Sequence, residues 1–92
     1  MKKLTETEID EHLNSLPEWK IEAGELDRTF AFPDFLAAMR FVNAVAEQAE
    51  AAQHHPDIDI RYNKVRLRLA THDAGGLTAK DFELAENVSK LG

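Results

Sequence analysis

Hydrophobic residues in this chain recur with two periods, and the switches between them mark out its elements. Ile9, Leu13 and Leu16 repeat at helical spacing behind Thr5-Glu6-Thr7-Glu8. That run matches a capping box, in which Thr5 caps the helix and Glu8 reaches back. A first helix is predicted over 6–15, stopped at Ser15-Leu16-Pro17 because proline disfavours helical geometry in the residue before it. Trp19, Ile21 and Ala23 alternate with Lys20 and Glu22, as in a half-buried strand. Gly24-Glu25 reads as a turn, and Leu26, Arg28, Phe30 and Phe32 share one parity in the strand that follows, completing a hairpin.

Pro33 and Asp34 stand where a helix should begin, since proline is tolerated in a first turn and aspartate complements the dipole there. Phe35, Leu36, Met39, Val42, Val45, Ala46 and Ala49 give a broad apolar stripe, predicting a long helix over 33–52. Phe41 falls off that stripe and is expected to cover a second interface. Gln53-His54-His55-Pro56 ends the helix. Ile58, Ile60 and Tyr62 then alternate with charged residues, as do Val65, Leu67 and Leu69, and Asn63 between them suits a tight turn because asparagine tolerates positive φ. Asp73-Ala74-Gly75-Gly76 reads as a flexible loop with glycine hinges. Thr78 to Asp81 opens a last helix with Leu84, Ala85, Val88 and Leu91 on one side.

The predicted order is α-β-β-α-β-β-α, an α+β domain over residues 1–92. Two hairpins joined by a helix predict one four-stranded antiparallel sheet. Each strand has one apolar face, so the helices should cover that face only.

At 92 residues the chain supports a single core. It has no cysteine, which removes disulfides, thiolate catalysis and cysteine metal sites and agrees with a cytoplasmic setting. The N-terminus lacks a signal-peptide apolar stretch, and no apolar run is long enough for a membrane span. A net charge of −6 gives no general attraction for nucleic acid or anionic lipid, although Arg61, Lys64, Arg66 and Arg68 form a basic strip.

The candidate chemistry lies in histidines. His12 sits on the first helix away from its apolar stripe and reads as a surface residue. His54 and His55 are held by Pro56 at a helix-to-strand junction, a position where function concentrates and where histidine also serves as a helix C-terminal partner. His72 ends the fourth strand. Because the third strand leaves the His54-His55 corner and the fourth returns to it, a regular hairpin brings His72 within reach of the same ligand. Glu50 precedes His54 by one helical turn and can orient an imidazole. Asp81, in a capping-box-like pattern with Thr78, could also aim a carboxylate at the adjacent pocket. Three histidines allow a zinc reading, which the adjacency of His54 and His55 disfavours. No nucleotide, phosphate-loop or Ser-His-Asp signature is present.

Glu50, His54-His55-Pro56, Tyr62, His72 and Asp81, in this order and spacing, resemble the signature of the pterin-4a-carbinolamine dehydratases. Tyr62-Asn63-Lys64-Val65, Thr71-His72-Asp73-Ala74-Gly75-Gly76-Leu77-Thr78 and the early Trp19 with Ile21 extend the resemblance over nearly the whole chain. It implies three helices on one sheet face, and a homodimer or homotetramer. It also implies catalytic His54, His55 and His72, with Glu50, Gln53, Ile58 and Asp81 supporting or binding substrate. No metal and no cofactor are implied. Gln53 and Ile58 replace an acidic or polar residue and an aromatic found in many members, and Lys80 stands where some carry arginine. The implied reaction is loss of water from a 4a-hydroxytetrahydropterin, with a small-molecule pterin and further copies of the chain as implied partners, and no nucleic acid or membrane. Three other readings are an interaction protein or coactivator-like oligomer, a paralogue linked to molybdopterin metabolism, and a metal-binding module.

Overall fold

In the computed structural model, which describes residues 2–92, the elements are α1 (Glu6–Leu13), β1 (Lys20–Glu22), β2 (Glu25–Ala31), α2 (Phe35–Ala52), β3 (Asp57–Arg61), β4 (Lys64–Leu69), a 3₁₀ turn (His72–Ala74) and α3 (Ala79–Ser89). The strands form one antiparallel sheet in the order β1-β2-β4-β3, so the second hairpin inserts β4 beside β2 and leaves β1 and β3 at the edges. The helices lie on the apolar face, as the alternation of the strands requires.

Local chemistry explains most boundaries. Thr5 and Glu8 form the capping box at α1. Asp34 caps α2 by accepting from the Ala37 amide at 2.8 Å, which leaves Pro33 outside the helix. The first hairpin turns at Ala23-Gly24 rather than Gly24-Glu25. Both residues have positive φ (52° and 78°), the combination that matches strand twist, and Glu25 is already paired with Glu22. In the second hairpin the positive φ falls on Tyr62, not Asn63. Asn63 instead donates its side-chain amide to the Phe32 carbonyl at 2.8 Å, tying the turn to the end of β2.

The core is built from Leu26 and Phe30 of β2, Val65, Leu67 and Leu69 of β4, and Phe82, Leu84, Ala85 and Val88 of α3, with Trp19 and Leu16 closing one end. The predicted stripe of α2 is rotated. Ala38, Phe41, Val45 and Ala49 face the core, while Phe35 and Leu36 are exposed. The helix is rich in alanine and carries apolar residues on two sides. Periodicity alone could not choose between them, and the side with small residues and Phe41 allows the closer approach. Phe41 therefore packs on Phe30 and Phe32 in the core. Trp19 is also a core residue, donating its indole N–H to Ser89 at 2.8 Å.

The helix-free face contains one buried acid. Asp27 has almost no solvent contact and is gripped by the Arg66 guanidinium, with Arg68 on its other side at 3.6 Å. The hydrogen bonds from Arg66 hold the Asp27 carboxyl below the usual carboxylate range, against the opposing effect of burial. A lowered folded-state value contributes stability that is fully present above the unfolded value, about pH 4, and lost as pH falls through the folded one. Asp27→Asn should accordingly flatten the decline in stability below about pH 4, as read from urea midpoints between about pH 2 and 7.

Candidate active site

The end of α2 decides how the histidines point. Gln53 adopts left-handed geometry (φ 52°, ψ 41°), and its side-chain amide donates to the Glu50 carbonyl at 2.9 Å. That residue breaks the helical register, so the i,i+4 expectation pairing Glu50 with His54 does not hold. Instead His55 Nε2 lies 2.5 Å from Glu50 Oε2, in an exposed pair. His54 turns inward, its side chain 11% exposed, and its Nε2 lies 2.5 Å from Oδ1 of Asp81, which is fully buried.

Asp81 is held at the first turn of α3. Its Oδ2 accepts from the Thr78 amide at 2.9 Å and from the Thr71 hydroxyl at 2.8 Å. A carboxylate is acceptor-only, so the proton in the contact with His54 belongs to Nε2. In the neutral ring His54 Nδ1 then carries the lone pair, and no hydrogen bond to it is present among the described residues.

His72 opens the 3₁₀ turn rather than ending a strand. The segment expected to be a flexible loop is a closed structure. Thr71 and Gly76 bridge across it, the Gly75 amide donates to the His72 carbonyl at 3.0 Å, and Gly75 takes the left-handed conformation that glycine permits (φ 75°). The His72 ring has no hydrogen-bond partner among the described residues.

All three imidazoles border one pocket of about 280 Å³, lined by Gln53, His54, His55, Ala70, Thr71, His72 and Asp73. A second concavity of about 300 Å³ adjoins it through Ala70, Thr71 and His72. The somewhat larger hollow of about 350 Å³ on the helix-free face, lined by Thr29, Asp59, Arg61, Lys64 and Arg66, contains no imidazole. Its basic side chains lack a general acid–base pair suited to neutral pH, so the histidine pocket is the candidate site.

Among the expected site residues, Gln53 lines the pocket. Asp81 lies behind His54 and Glu50 beside His55. Ile58 does not line the pocket: it is exposed on edge strand β3, opposite Leu67 and on the helix-covered side of the sheet. His12 stacks on Phe82 at 4.8 Å between ring centres and takes no part in the pocket. Sequence reasoning missed Thr71, which lines the pocket and bonds Asp81. Its adjacency to His72 was the available signal. Among the described residues no group of three or more ligating side chains is placed to hold a metal ion.

Comparison with known proteins gives the same family as the motif. The family model described as pterin 4 alpha carbinolamine dehydratase matches residues 2–91. A protein of Acidobacterium capsulatum, provisionally named a pterin-4-alpha-carbinolamine dehydratase, is 62% identical, covering 99% of each chain. One from Chloroflexus aurantiacus with the same provisional name is 57% identical over 99% of this chain and 98% of its own. A crystal structure from Brucella melitensis, described as a transcriptional coactivator/pterin dehydratase, superposes with a TM-score of 0.94 at 35% identity, covering 98% of both chains. A pterin dehydratase-like protein identified as a RuBisCO assembly factor of the alpha-carboxysome shares the fold alone, with a TM-score of 0.65 at 23% identity over 79% of this chain and 84% of its own. With its histidine pocket and a match from end to end, the chain belongs to the pterin-4-alpha-carbinolamine dehydratase family.

Proposed function

We propose that the protein removes water from 4a-hydroxytetrahydropterin to give the quinonoid dihydropterin, by acid–base catalysis among His54, His55 and His72. The observation carrying this reading is the convergence of three imidazoles on one pocket, one of them held by a buried carboxylate. The substrate bears a hydroxyl on C4a and a hydrogen on the neighbouring N5. As the C4a–O bond breaks, the departing hydroxyl takes a proton and leaves as water. The N5 lone pair forms the C=N bond, and N5 releases its proton. One proton is donated and one is accepted, so the enzyme returns to its starting charge without redox change.

The contacts around the pocket support the following division of these tasks. His54, with Nε2–H committed to Asp81, offers Nδ1 as the base for the N5 proton. His72, whose ring has no hydrogen-bond partner among the described residues, donates to the hydroxyl. His55, held by Glu50 at the rim, orients the ring edge, and Gln53 supplies a polar group there. Stopped-flow measurement with synthetic carbinolamine tests this. Catalytic amounts of the protein should accelerate water loss above the buffer rate, and an unchanged rate would end the proposal.

A homodimer or homotetramer in the cytoplasm is part of the same reading. Phe35 and Leu36 of α2, and Ile58 and Ile60 of β3, are exposed large apolar residues suited to contact with further copies. Among the described residues no helix is long and apolar enough to cross a membrane. A coactivator-like role, prompted by the description of the Brucella relative, would leave its phenotype intact when the histidines are replaced.

A further inference from the structure

We propose that Thr71 is a positioning residue that ties the two walls of the pocket together by fixing Asp81, and through it the tautomer of His54. This rests on the dehydratase reading for its kinetic consequence, but not for its structural one.

Thr71 occupies the N-cap position of the 3₁₀ turn, where a threonine hydroxyl ordinarily accepts from the amides of the turn. It makes no such bond. Its hydroxyl is directed to Asp81 Oδ2 at 2.8 Å and lies 2.9 Å from the Thr78 hydroxyl. A hydroxyl has one proton, and an ionised Asp81 can only accept. Thr71 therefore donates to Asp81, and buried Thr78 donates to Thr71. The order of donation is fixed along the chain: Thr78 hydroxyl to Thr71 oxygen, Thr71 hydroxyl to Asp81 Oδ2, His54 Nε2–H to Asp81 Oδ1.

The main chain of Thr71 is fixed as well. Its amide donates to the Gly76 carbonyl at 3.1 Å, and the Gly76 amide returns the bond at 3.3 Å. His72 follows directly in sequence. One residue thus sets the start of the turn bearing His72 and, through Asp81, the ring of His54. Without the hydroxyl, Asp81 Oδ2 keeps only the Thr78 amide, and the carboxylate can turn about its side-chain bond. His54 then loses the partner that places its proton on Nε2. Partners standing behind a functional histidine are worth about 10–100-fold at metal sites, where they fix tautomer and ring orientation in the same way.

The test uses the full-length protein and two hydroxyl-deletion pairs, wild type with Thr71→Val and Thr71→Ser with Thr71→Ala. Each pair compares residues of similar size with and without the hydroxyl. Ring-nitrogen NMR of His54 should show protonated Nε2 and bare Nδ1 in wild type and Thr71→Ser, and both tautomers populated in Thr71→Val and Thr71→Ala. The deletion variants should lose about 10–100-fold in kcat with KM changed less than about twofold, and Thr71→Ser should retain most of the activity. If Thr71→Val folds poorly, the Ser and Ala pair carries the comparison. An unchanged tautomer pattern in both deletion variants overturns the proposal, as does kcat loss equal in the serine and alanine variants. Absence of turnover in the wild-type chain would refute the dehydratase reading, while the NMR arm would still decide the role of Thr71.

Discussion

Asp81→Asn should leave the protein folded and cut kcat by about 10²–10⁴-fold. The new amide can face only one way. The Thr78 main-chain N–H, 2.9 Å from Oδ2, can only donate, so the amide oxygen has to remain at that position. The amide nitrogen then occupies the place of Oδ1 and donates toward His54 Nε2, which must give up its proton and accept. The imidazole proton moves to Nδ1, and the nitrogen assigned as the base is blocked. The equivalent change in a Ser-His-Asp protease lowers kcat about 10⁴-fold by the same reversal of tautomer. Asparagine matches aspartate in shape and still accepts from Thr71 and Thr78, so thermal melting should change far less than turnover. Stopped-flow dehydration with a parallel melting curve separates the two effects. Turnover at the wild-type level in Asp81→Asn would remove His54 Nδ1 from the mechanism.

His72→Ala should lose a comparable factor, about 10²–10⁴-fold in kcat, with almost no effect on stability. Two observations make this a clean substitution. The His72 ring is exposed and has no hydrogen-bond partner among the described residues, so its removal strands no buried polar group. The turn that carries it is held by main-chain bonds of Thr71, Gly75 and Gly76, which alanine leaves in place. Surface changes of this kind usually alter stability by no more than about 0.5 kcal/mol. A fall in rate at an unchanged melting temperature would therefore be chemical in origin. A rate within about twofold of wild type would show that His72 is not the acid.

The fold was legible because its determinants are local. Thr5 and Glu8, Asp34, and the alternation through Val65, Leu67 and Leu69 each act within a few residues, and the observed elements follow them closely. The pairing of His72 with the His54-His55 corner was also readable, since hairpin geometry alone returns β4 to the start of β3. Non-local choices were not. The α2 helix could bury either of two apolar sides, and only the packing of β2 and α3 selects Phe41 over Phe35. The partners of His54 and His55 depended on a single left-handed residue, Gln53, whose side chain gives little warning of that conformation. It moved Glu50 to His55 and left His54 to Asp81, a residue 27 positions away. Ile58 was placed in the site by resemblance to a pattern that carries an aromatic there, while the strand aims it at the covered face and leaves it half exposed. The first hairpin turn slipped by one residue because Ala23 accepts a positive φ that alanine seldom adopts.

The proposed catalysis requires His54, His55 and His72 to face one bound pterin, and NMR of the histidine ring protons during titration with an unhydroxylated dihydropterin tests that directly. His12, stacked on Phe82 outside the pocket, serves as the internal reference. Saturable shifts with one common dissociation constant are predicted for His54, His55 and His72, with His12 unmoved. A titration that moves His54 and His55 but leaves His72 in place would contradict the shared site.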